Sequence, residues 1–461
     1  MFLTPKDFEP QNLPEKIVWY LGIGTYPLYL IGSLYLIVPL VGAGLAIYAL
    51  WQWRQQTAET PILERAFISP AAWVWLVAGL VIEFAMMVAH FNFELGTTLM
   101  AISTVNNWYR RWAIIPLFIL AGHFLIRPKL LYRVSCIIAV ETAVVVLIGT
   151  ILSLAGIPEI EYTSPLKIFG GGTDHYGVVL LQNALTDRIN SFSPWVTTTG
   201  TLGNFFFFLS WAEKSSKWRI AGMVSSLMMV VVSQSRAALV CIPFVVVVVW
   251  LSKNIVYPRV QLLSSAVCFL LGLVSVQLGK LINLVQAQFA NFRGKDSYYS
   301  SRTRKVLYRM TIKDWWENAP IWGHGRVPEE GPRVIGGMPI GTHHTWYGGL
   351  YTFGLVGCTA FAIAMVFTLI NLIIQARESR TATVGLCIFL TFLVSTLTDS
   401  VEYVSYAYWS ALLFIGIALR QPQEEIDCGI GLLASPPSKR SESPPKLVRP
   451  VVKVAPPRAE N

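Results

Sequence analysis

Residues 220–251 have the sequence IAGMVSSLMMVVVSQSRAALVCIPFVVVVVWL, and this stretch decides the fold. Two apolar runs, residues 220–232 and 237–251, are separated only by the polar turn SQSR. A bilayer core about 30 Å thick is crossed by roughly 20 predominantly apolar residues, so the pattern is typical of two short membrane helices that turn back at an interface. Arg236 ends the turn and is predicted to lie at or just inside that interface, where a charge is costly and usually functional or snorkelling.

The rest of the chain repeats this pattern. Of its 461 residues, 54 % are hydrophobic and 13 % are charged, whereas a soluble domain has about 25 % charged residues. Backbone polar groups inside a bilayer must be hydrogen-bonded within the protein, and helices satisfy this condition. We therefore expect an all-α integral membrane protein without a large soluble domain. Further apolar runs lie at residues 17–51, 71–89, 113–126, 134–156, 195–212, 260–278, 345–374, 382–397 and 401–419.

The number of spans depends on the first run. Residues 17–51 are long enough for two short helices joined near Gly32 and Ser33, or for one strongly tilted helix. Two helices give about twelve spans, and this number makes every short cytoplasmic loop basic, as the positive-inside rule expects. The predicted order is a cytoplasmic N-terminus (1–16), membrane helices 1–9 (17–280), a large helical outer loop (281–343), membrane helices 10–12 (344–419) and a disordered basic cytoplasmic tail (420–461).

Charge and cysteine content restrict the partners. A net charge of +10 on so hydrophobic a chain favours anionic lipid or an anionic substrate over nucleic acid. The long outer loop is also basic, which suggests an anionic ligand on that side. The six cysteines occur singly, without CxxC or metal-ligand spacing. We therefore expect no disulfide framework, no metal site and no cofactor.

The predicted topology brings several arginines and a histidine to the outer face. Arg302, Arg304 and Arg309 lie within eight residues, so a helix would place at least two of them on neighbouring turns. Guanidinium groups bind phosphate oxygens in a bidentate manner, and each hydrogen bond to a charged group is worth about 1.5–3 kcal/mol. Together with Arg236 they form a candidate diphosphate site. The alternative for any single arginine is a solvated basic face.

His343 and His344 precede the run at 345–374, which places an imidazole at the mouth of a helix on the outer side. A neutral histidine can take a proton from a hydroxyl nucleophile, and general base catalysis gives about 10²- to 10⁴-fold. A structural histidine is the alternative. The pair does not indicate a metal site, because adjacent side chains on a helix point about 100° apart and no third ligand is suitably spaced.

The sequence that begins at His343 resembles a signature of the O-antigen ligase and polymerase family, polytopic proteins that assemble glycans in the bacterial envelope. The ligase signature is H-[NSQ]-x9-G-x-x-[GTY]. This chain has His343 and His344, then nine residues, then Gly354, two residues and Gly357. The spacing matches throughout, and the one departure is His344, where the family usually has Asn, Ser or Gln.

Two further motifs extend the resemblance over residues 188–357. SQSRA at residues 233–237 matches S-x-S-R-[GA], and PIWGHG at residues 320–325 matches P-x-x-G-x-G. Arg188 and the pair Gly203-Asn204 match an outer arginine and a Gly/Asn helix start of related proteins only weakly. The N-terminal third of the chain matches in hydrophobicity alone.

A further feature of the family is an arginine followed four residues later by Leu or an aromatic residue. Arg302 has Val306 at that offset, and Arg304 has Tyr308. Neither reproduces R-x-x-x-L, so both arginines stay candidates.

The resemblance implies metal-independent glycosyl transfer at the periplasmic face of the bacterial inner membrane. The donor would be an undecaprenyl-diphosphate-linked glycan, and the acceptor a hydroxyl of a glycan, lipid or protein. His343 would be the general base, and Arg188, Arg236 and Arg302 or Arg304 would bind the diphosphate. The histidine spacing favours an O-antigen ligase over an O-antigen or exopolysaccharide polymerase.

Two other functional classes are alternatives, a transporter and a non-catalytic scaffold. A small-anion transporter, for bicarbonate for example, should show internal repeats and ionisable groups near the midplane; only Glu83, His123 and Glu141 lie inside apolar runs, and they fit equally as buried, hydrogen-bonded groups. A non-catalytic scaffold would not need the set of arginines and histidine. Asp399 and Glu402, at the last outer turn, either orient an arginine or a sugar hydroxyl or face water.

Overall fold

The computed structural model describes residues 9–57, 68–124, 126–273, 275, 277, 295–328 and 330–420. In the helix that begins at Lys295, it describes side chains from Thr303 onwards. Part of the predicted N-terminus, residues 281–294 of the predicted outer loop and nearly all of the predicted tail lie outside the described residues.

The described residues are mainly helical. Six helices are long and apolar enough to cross a membrane, and two shorter apolar helices begin at Pro258 and Trp409. These helices confirm the prediction of a mainly helical, multi-pass membrane protein. The number of about twelve spans and the position of the large outer loop stay predictions.

Most helices follow the predicted apolar runs, whereas α5 lies between two runs and α12 lies in the predicted outer loop. In chain order they are α1 (Leu13–Ile23), α2 (Thr25–Ile31), α3 (Leu34–Gln55), α4 (Pro70–Asn92), α5 (Thr97–Ser103), α6 (Ile114–Ala121), α7 (Pro128–Leu154), α8 (Val196–Trp211), α9 (Ser216–Val232), α10 (Arg236–Asn254), α11 (Pro258–Leu273), α12 (Lys295–Asn318), α13 (Thr345–Gln375), α14 (Arg380–Thr398), α15 (Val401–Val404) and α16 (Trp409–Arg420). A π-helix, Thr104–Trp112, joins α5 to α6. The first apolar run is broken at Gly32, which has a left-handed φ of 72°.

The connection between α7 and α8 contains a small sheet that the apolar pattern of the sequence does not predict. Strands β1 (Ile160–Thr163) and β2 (Gly177–Leu180) pair antiparallel, and two short 3₁₀ helices lie between them. Each strand has only four residues. A segment of this length is too short to show a clear alternation of apolar and polar residues, which explains why the pattern gives no signal.

Helix α8 packs closely against its neighbours through the Gly203-Asn204 pair. A Cβ atom at Gly203 would lie 2.8 Å from the carbonyl oxygen of Ser226 in α9. The buried amide of Asn204 donates a hydrogen bond of 3.2 Å to the carbonyl of Ala238 in α10. The pair lies inside α8 and not at a helix start, so that part of the predicted match is wrong. Its position is explained by close packing of three helices.

Helix α13 is interrupted at Gly354, which has a φ of 64°. The segment 320–325 fills the gap in the helical hydrogen-bond pattern. The amide of His324 donates to the carbonyl of Tyr351 at 2.7 Å, and the amide of Leu355 donates back to the segment at 3.0 Å. The glycine of the His343 signature and the P-x-x-G-x-G motif therefore meet in one backbone junction.

Two of the three ionisable residues inside apolar runs have hydrogen-bond partners. Glu83 accepts a hydrogen bond of 2.5 Å from Thr104, and His123 lies 2.8 Å from the hydroxyl of Ser69. Among the described residues, the second carboxylate oxygen of Glu83 and one oxygen of Glu141 are buried without such a partner. The hydrogen-bonded interpretation thus holds for Glu83 and His123.

Candidate active site

A cavity of about 710 Å³ lies where α8, the N-terminus of α10 and the C-terminal part of α14 meet helix α12. Its volume falls in the range of small-molecule sites, which is about 300–1,000 Å³. The wall carries guanidinium, hydroxyl, amide and carboxylate groups. The lining residues that bear on function are Arg188, Arg236, Arg304, Tyr308, Asp399 and Asn204.

Arg236 enters the wall from the turn between α9 and α10. Ser235 caps α10, since its hydroxyl accepts a hydrogen bond of 3.4 Å from an amide of the first turn. Gln234 adopts a left-handed φ of 50°. Gly200 of α8 packs so near the turn that a Cβ there would lie 2.6 Å from the hydroxyl oxygen of Ser233. The SQSRA motif thus fixes the point at which Arg236 begins the helix.

Arg188 reaches the same turn from the connection before α8. Its Nε donates a hydrogen bond of 3.1 Å to the carbonyl of Ser233. Arg188 and Arg236 both line the cavity. Guanidinium groups stay protonated at any physiological pH, so the two residues make this part of the wall cationic and suited to an anion.

Helix α12 adds Arg304 and Tyr308, which lie about one turn apart and both line the cavity. Arg309 is exposed, so the solvated interpretation applies to it. The side chain of Arg302 lies outside the described residues. Of the two candidate pairs in the sequence, Arg304 with Tyr308 is therefore the one seen at the cavity.

His343 lies next to the cavity, and Tyr308 connects them. The hydroxyl of Tyr308 donates a hydrogen bond of 2.9 Å to the backbone carbonyl of His343. The Nδ1 atom of the half-buried imidazole lies 2.9 Å from the hydroxyl of Thr342. His343 has a φ of 67°, which is uncommon outside glycine and is often retained at functional sites. Trp195 stacks on the imidazole, with ring centroids 6.1 Å apart.

The next two residues fix the start of α13. The Nδ1 atom of His344 accepts a hydrogen bond of 3.4 Å from the amide of Tyr347, which makes His344 the N-cap. Side chains such as Asn and Ser usually fill this role, so the departure from the family signature preserves the hydrogen bond. The amide and hydroxyl of Thr345 both donate to the carbonyl of Asp399, at 3.1 and 2.8 Å.

Asp399 is the carboxylate of the cavity wall. Its exposed fraction is 6 %, so the water-facing alternative is wrong for this residue. The hydroxyl of Thr197 and the amide of Ser400 donate to it at 2.5 and 3.0 Å. Burial raises the pKa of Asp399, although these hydrogen bonds and the charge of Arg304 act in the opposite direction. The sequence signal for its role is weak: a carboxylate at the outer end of an apolar run.

The electrostatic surroundings keep His343 neutral. Burial, with the charge of Arg304 acting in the same direction, lowers the pKa of His343 to about 4. A neutral imidazole is the form that a general base requires. Within the described ranges, no group of three or more His, Cys, Asp or Glu side chains is arranged to hold a metal ion.

The fold and this site define a multi-pass helical membrane protein with a cationic cavity beside a neutral histidine. A model of the O-antigen ligase family matches residues 221–362. The match confirms the resemblance to the O-antigen ligase/polymerase family and supports an activity of that type. It includes Arg236, Arg304 and His343, whereas Arg188 and Asp399 lie outside it. No curated protein is similar enough to match the chain.

Proposed function

We propose that this protein transfers a glycan from an undecaprenyl-diphosphate donor to an acceptor hydroxyl, at the periplasmic face of the bacterial inner membrane. The observation that carries the proposal is the cavity itself. Three arginines from separate parts of the chain line it together, and His343 is hydrogen-bonded to a residue of its wall. The family match supplies the class of reaction.

In this proposal the donor diphosphate lies against Arg188, Arg236 and Arg304. Net hydrogen bonds to charged groups contribute about 1.5–3 kcal/mol each, so three arginines can hold a diphosphate in competition with water. The lipid chain extends from the same cavity toward the bilayer, past the apolar lining residues Val394 and Leu397. The arginines are permanently charged, and no metal ion is required to neutralise the diphosphate.

The chemical step needs one proton transfer and one displacement. The neutral imidazole of His343 takes the proton of the acceptor hydroxyl. The acceptor oxygen then forms a bond to the anomeric carbon while the bond from that carbon to the diphosphate oxygen breaks, which inverts the configuration. Undecaprenyl diphosphate leaves as an anion that the arginines stabilise, and the proton on His343 returns to solvent.

The spacing of the His343 signature favours a ligase, which joins the glycan to a different molecule, over a polymerase, which joins it to another repeat unit. The two activities share the donor, the base and the arginines. They differ in the acceptor, so the acceptor assay decides between them.

The test uses the full chain in nanodiscs, with lipid-linked glycan extracted from cells, candidate acceptors and EDTA. We expect transfer by the wild type. His343→Ala should bind donor but lose transfer, whereas Arg236→Gln should weaken donor binding. Arg309→Gln is the matched control, because Arg309 is exposed on the helix that carries Arg304. Full transfer by His343→Ala would refute the base assignment, and loss of wild-type transfer in EDTA would refute metal independence.

A further inference from the structure

A second polar cluster contacts His343 through Trp195. It is separate from the cavity lined by Arg188, Arg236 and Arg304, hereafter the arginine cavity. The Trp195 ring lies 5.7 Å from the ring of Tyr403, centroid to centroid. The guanidinium carbon of Arg111 lies 3.8 Å from the centre of the Tyr403 ring. The lining of the arginine cavity does not include Trp195, Tyr403 or Arg111. Trp195 and Tyr403 are both half-buried.

Tyr403 borders a small pocket with unpaired polar groups. The pocket has a volume of about 20 Å³, and Arg111, Glu402 and Asn107 also line it. A volume of this size admits one group as large as a water molecule or a hydroxyl. Within the described part of the chain, Oε2 of Glu402 and Nε of Arg111 are buried without a hydrogen-bond partner. Buried polar atoms nearly always have partners, so these two atoms are placed to hydrogen-bond a small polar group that enters the pocket.

Glu402 supplies the acceptor side of this pocket. Its exposed fraction is 5 %, so the water-facing alternative from the sequence is wrong for Glu402 as well. A carboxylate that accepts hydrogen bonds and a guanidinium that donates them therefore lie in one hydroxyl-sized space.

The π-helix explains how Arg111 reaches this pocket. Arg110 and Arg111 are neighbours near the end of the π-helix. Arg110 donates hydrogen bonds of 2.8 and 2.9 Å to the carbonyls of Phe169 and Gly170 in the connection before α8, while Arg111 stacks on Tyr403. A π-helix is rare and frequently found at functional sites. The local structure thus gives the two adjacent arginines different partners.

On the basis of the function proposed above, we propose that Trp195, Tyr403, Arg111 and Glu402 form the acceptor subsite and that the acceptor is a saccharide. Half-buried aromatic side chains suit the apolar face of a sugar, and a few fixed polar groups give orientation. The hydroxyl-sized pocket beside Tyr403 takes one sugar hydroxyl, which donates to Glu402 and accepts from Arg111. A second hydroxyl of the same saccharide is then near His343, which contacts Trp195.

A protein acceptor fits these features less well. A serine or threonine side chain has no ring to stack on Trp195, and it has a single hydroxyl, which cannot both enter the pocket and react at His343. The diphosphate of the donor is bound by a separate set of arginines in the first cavity. Donor and acceptor binding should therefore respond to different substitutions.

The test measures binding to the full-length protein in nanodiscs without turnover. The saccharide probes are the free glycan released from the donor lipid by mild acid and the oligosaccharide freed from the envelope glycolipid of the same cells. The donor probe is farnesyl diphosphate, and a serine-containing peptide represents a protein acceptor. The variants are Trp195→Ala, Trp195→Phe and Glu402→Gln, and the control is Trp316→Ala, since Trp316 is 68 % exposed on α12.

We expect at least one saccharide probe to bind the wild type. Trp195→Ala should weaken this binding about tenfold or more, whereas Trp195→Phe should keep part of it because the aromatic face remains. Glu402→Gln should weaken saccharide binding because an amide replaces the acceptor carboxylate. All of these variants, and Trp316→Ala, should bind farnesyl diphosphate as the wild type does, which a general loss of structure would not allow.

Saccharide binding that is unchanged in both Trp195→Ala and Glu402→Gln would overturn the subsite. Binding of the peptide instead of either saccharide would also overturn it, in favour of a protein acceptor. If farnesyl diphosphate binds and neither saccharide does, the acceptor subsite is wrong and the donor site stands. If saccharide binds in the expected pattern and farnesyl diphosphate does not, the donor half of the proposed function fails and the subsite stands.

Discussion

Tyr308 holds the backbone of His343 through a hydrogen bond of 2.9 Å from its hydroxyl to the His343 carbonyl. Tyr308 also lines the arginine cavity, about one turn of α12 away from Arg304. One residue therefore joins the helix that presents an anion-binding group to the residue proposed as the base. A leucine at this place, which the family pattern allows, would lack the hydroxyl that makes the connection.

We predict that Tyr308→Phe lowers kcat by about twofold to tenfold and leaves the donor KM nearly unchanged. The hydrogen bond is worth about 0.5–1.5 kcal/mol, and its loss lets the His343 backbone move while the aromatic ring still fills the wall. The measurement is steady-state transfer at varied donor concentration. Tyr257→Phe serves as the control, because Tyr257 is exposed in the connection between α10 and α11. An unchanged kcat in Tyr308→Phe would show that the bond does not position the base.

The two adjacent histidines should respond differently to the same substitution. His344→Asn preserves a side chain that can cap α13, so we expect melting temperature and transfer rate close to the wild type. His344→Ala loses the cap and should cost about 1 kcal/mol of stability. His343→Asn should lower the rate about 10²- to 10⁴-fold, as the loss of a general base does, without a shift in melting temperature. Equal loss of transfer in His343→Asn and His344→Asn would contradict these roles.

The acid limb of the profile of kcat/KM against pH should reflect the protonation of His343. Because burial and Arg304 lower its pKa to about 4, the imidazole loses its proton as pH rises through about 4 and stays neutral above it. We expect kcat/KM to rise through this range and then to level off. The bound diphosphate adds negative charge, which favours the imidazolium, so the acid limb of kcat should lie at higher pH than that of kcat/KM.

Arg304→Gln provides the internal check on this assignment. Without the positive charge, protonation of His343 is easier, so the acid limb of kcat/KM should move to higher pH. Arg309→Gln carries the same change of charge at an exposed position of α12 and should leave the limb in place. Initial rates between about pH 3 and pH 8 measure both. A limb that moves equally in the two variants would point to a general effect of net charge.

The helices could be predicted well from sequence because a bilayer leaves the backbone few choices. An apolar run must be helical to satisfy its own hydrogen bonds, and the run at residues 237–251 lies within α10, Arg236–Asn254. The two short strands, Ile160–Thr163 and Gly177–Leu180, could not be predicted, because each strand depends on its partner and a local sequence pattern does not reveal that partner.

Of the residues in and beside the cavity, only those that belong to a sequence motif could be predicted. Arg236 and His343 belong to motifs with fixed spacing, and both lie where α10 and α13 begin. Asp399 and Trp195 have no such signal, because their positions depend on which chain ends meet in space. The sequence does not choose between Arg302 and Arg304, since both have the right residue type in one helix, and the structure describes only the Arg304 side chain, which lines the cavity.

Gly354 provides a test of the junction between α13 and the P-x-x-G-x-G segment. Its φ of 64° is left-handed, and a Cβ there would lie 2.3 Å from the carbonyl oxygen of Ile321. We expect Gly354→Ala to destabilise the protein by about 1–3 kcal/mol from backbone strain alone, and by more because the clashing atom belongs to the backbone. Gly44→Ala is the matched control: Gly44 lies in α3, and a Cβ there meets no atom within 4 Å. Alanine favours a helix over glycine by about 1 kcal/mol, so this variant should melt at or above the wild-type temperature. Thermal unfolding in detergent, followed by tryptophan fluorescence, measures both. If the two variants melt alike, the close approach at Gly354 does not hold the junction together, and the helix break must have another cause.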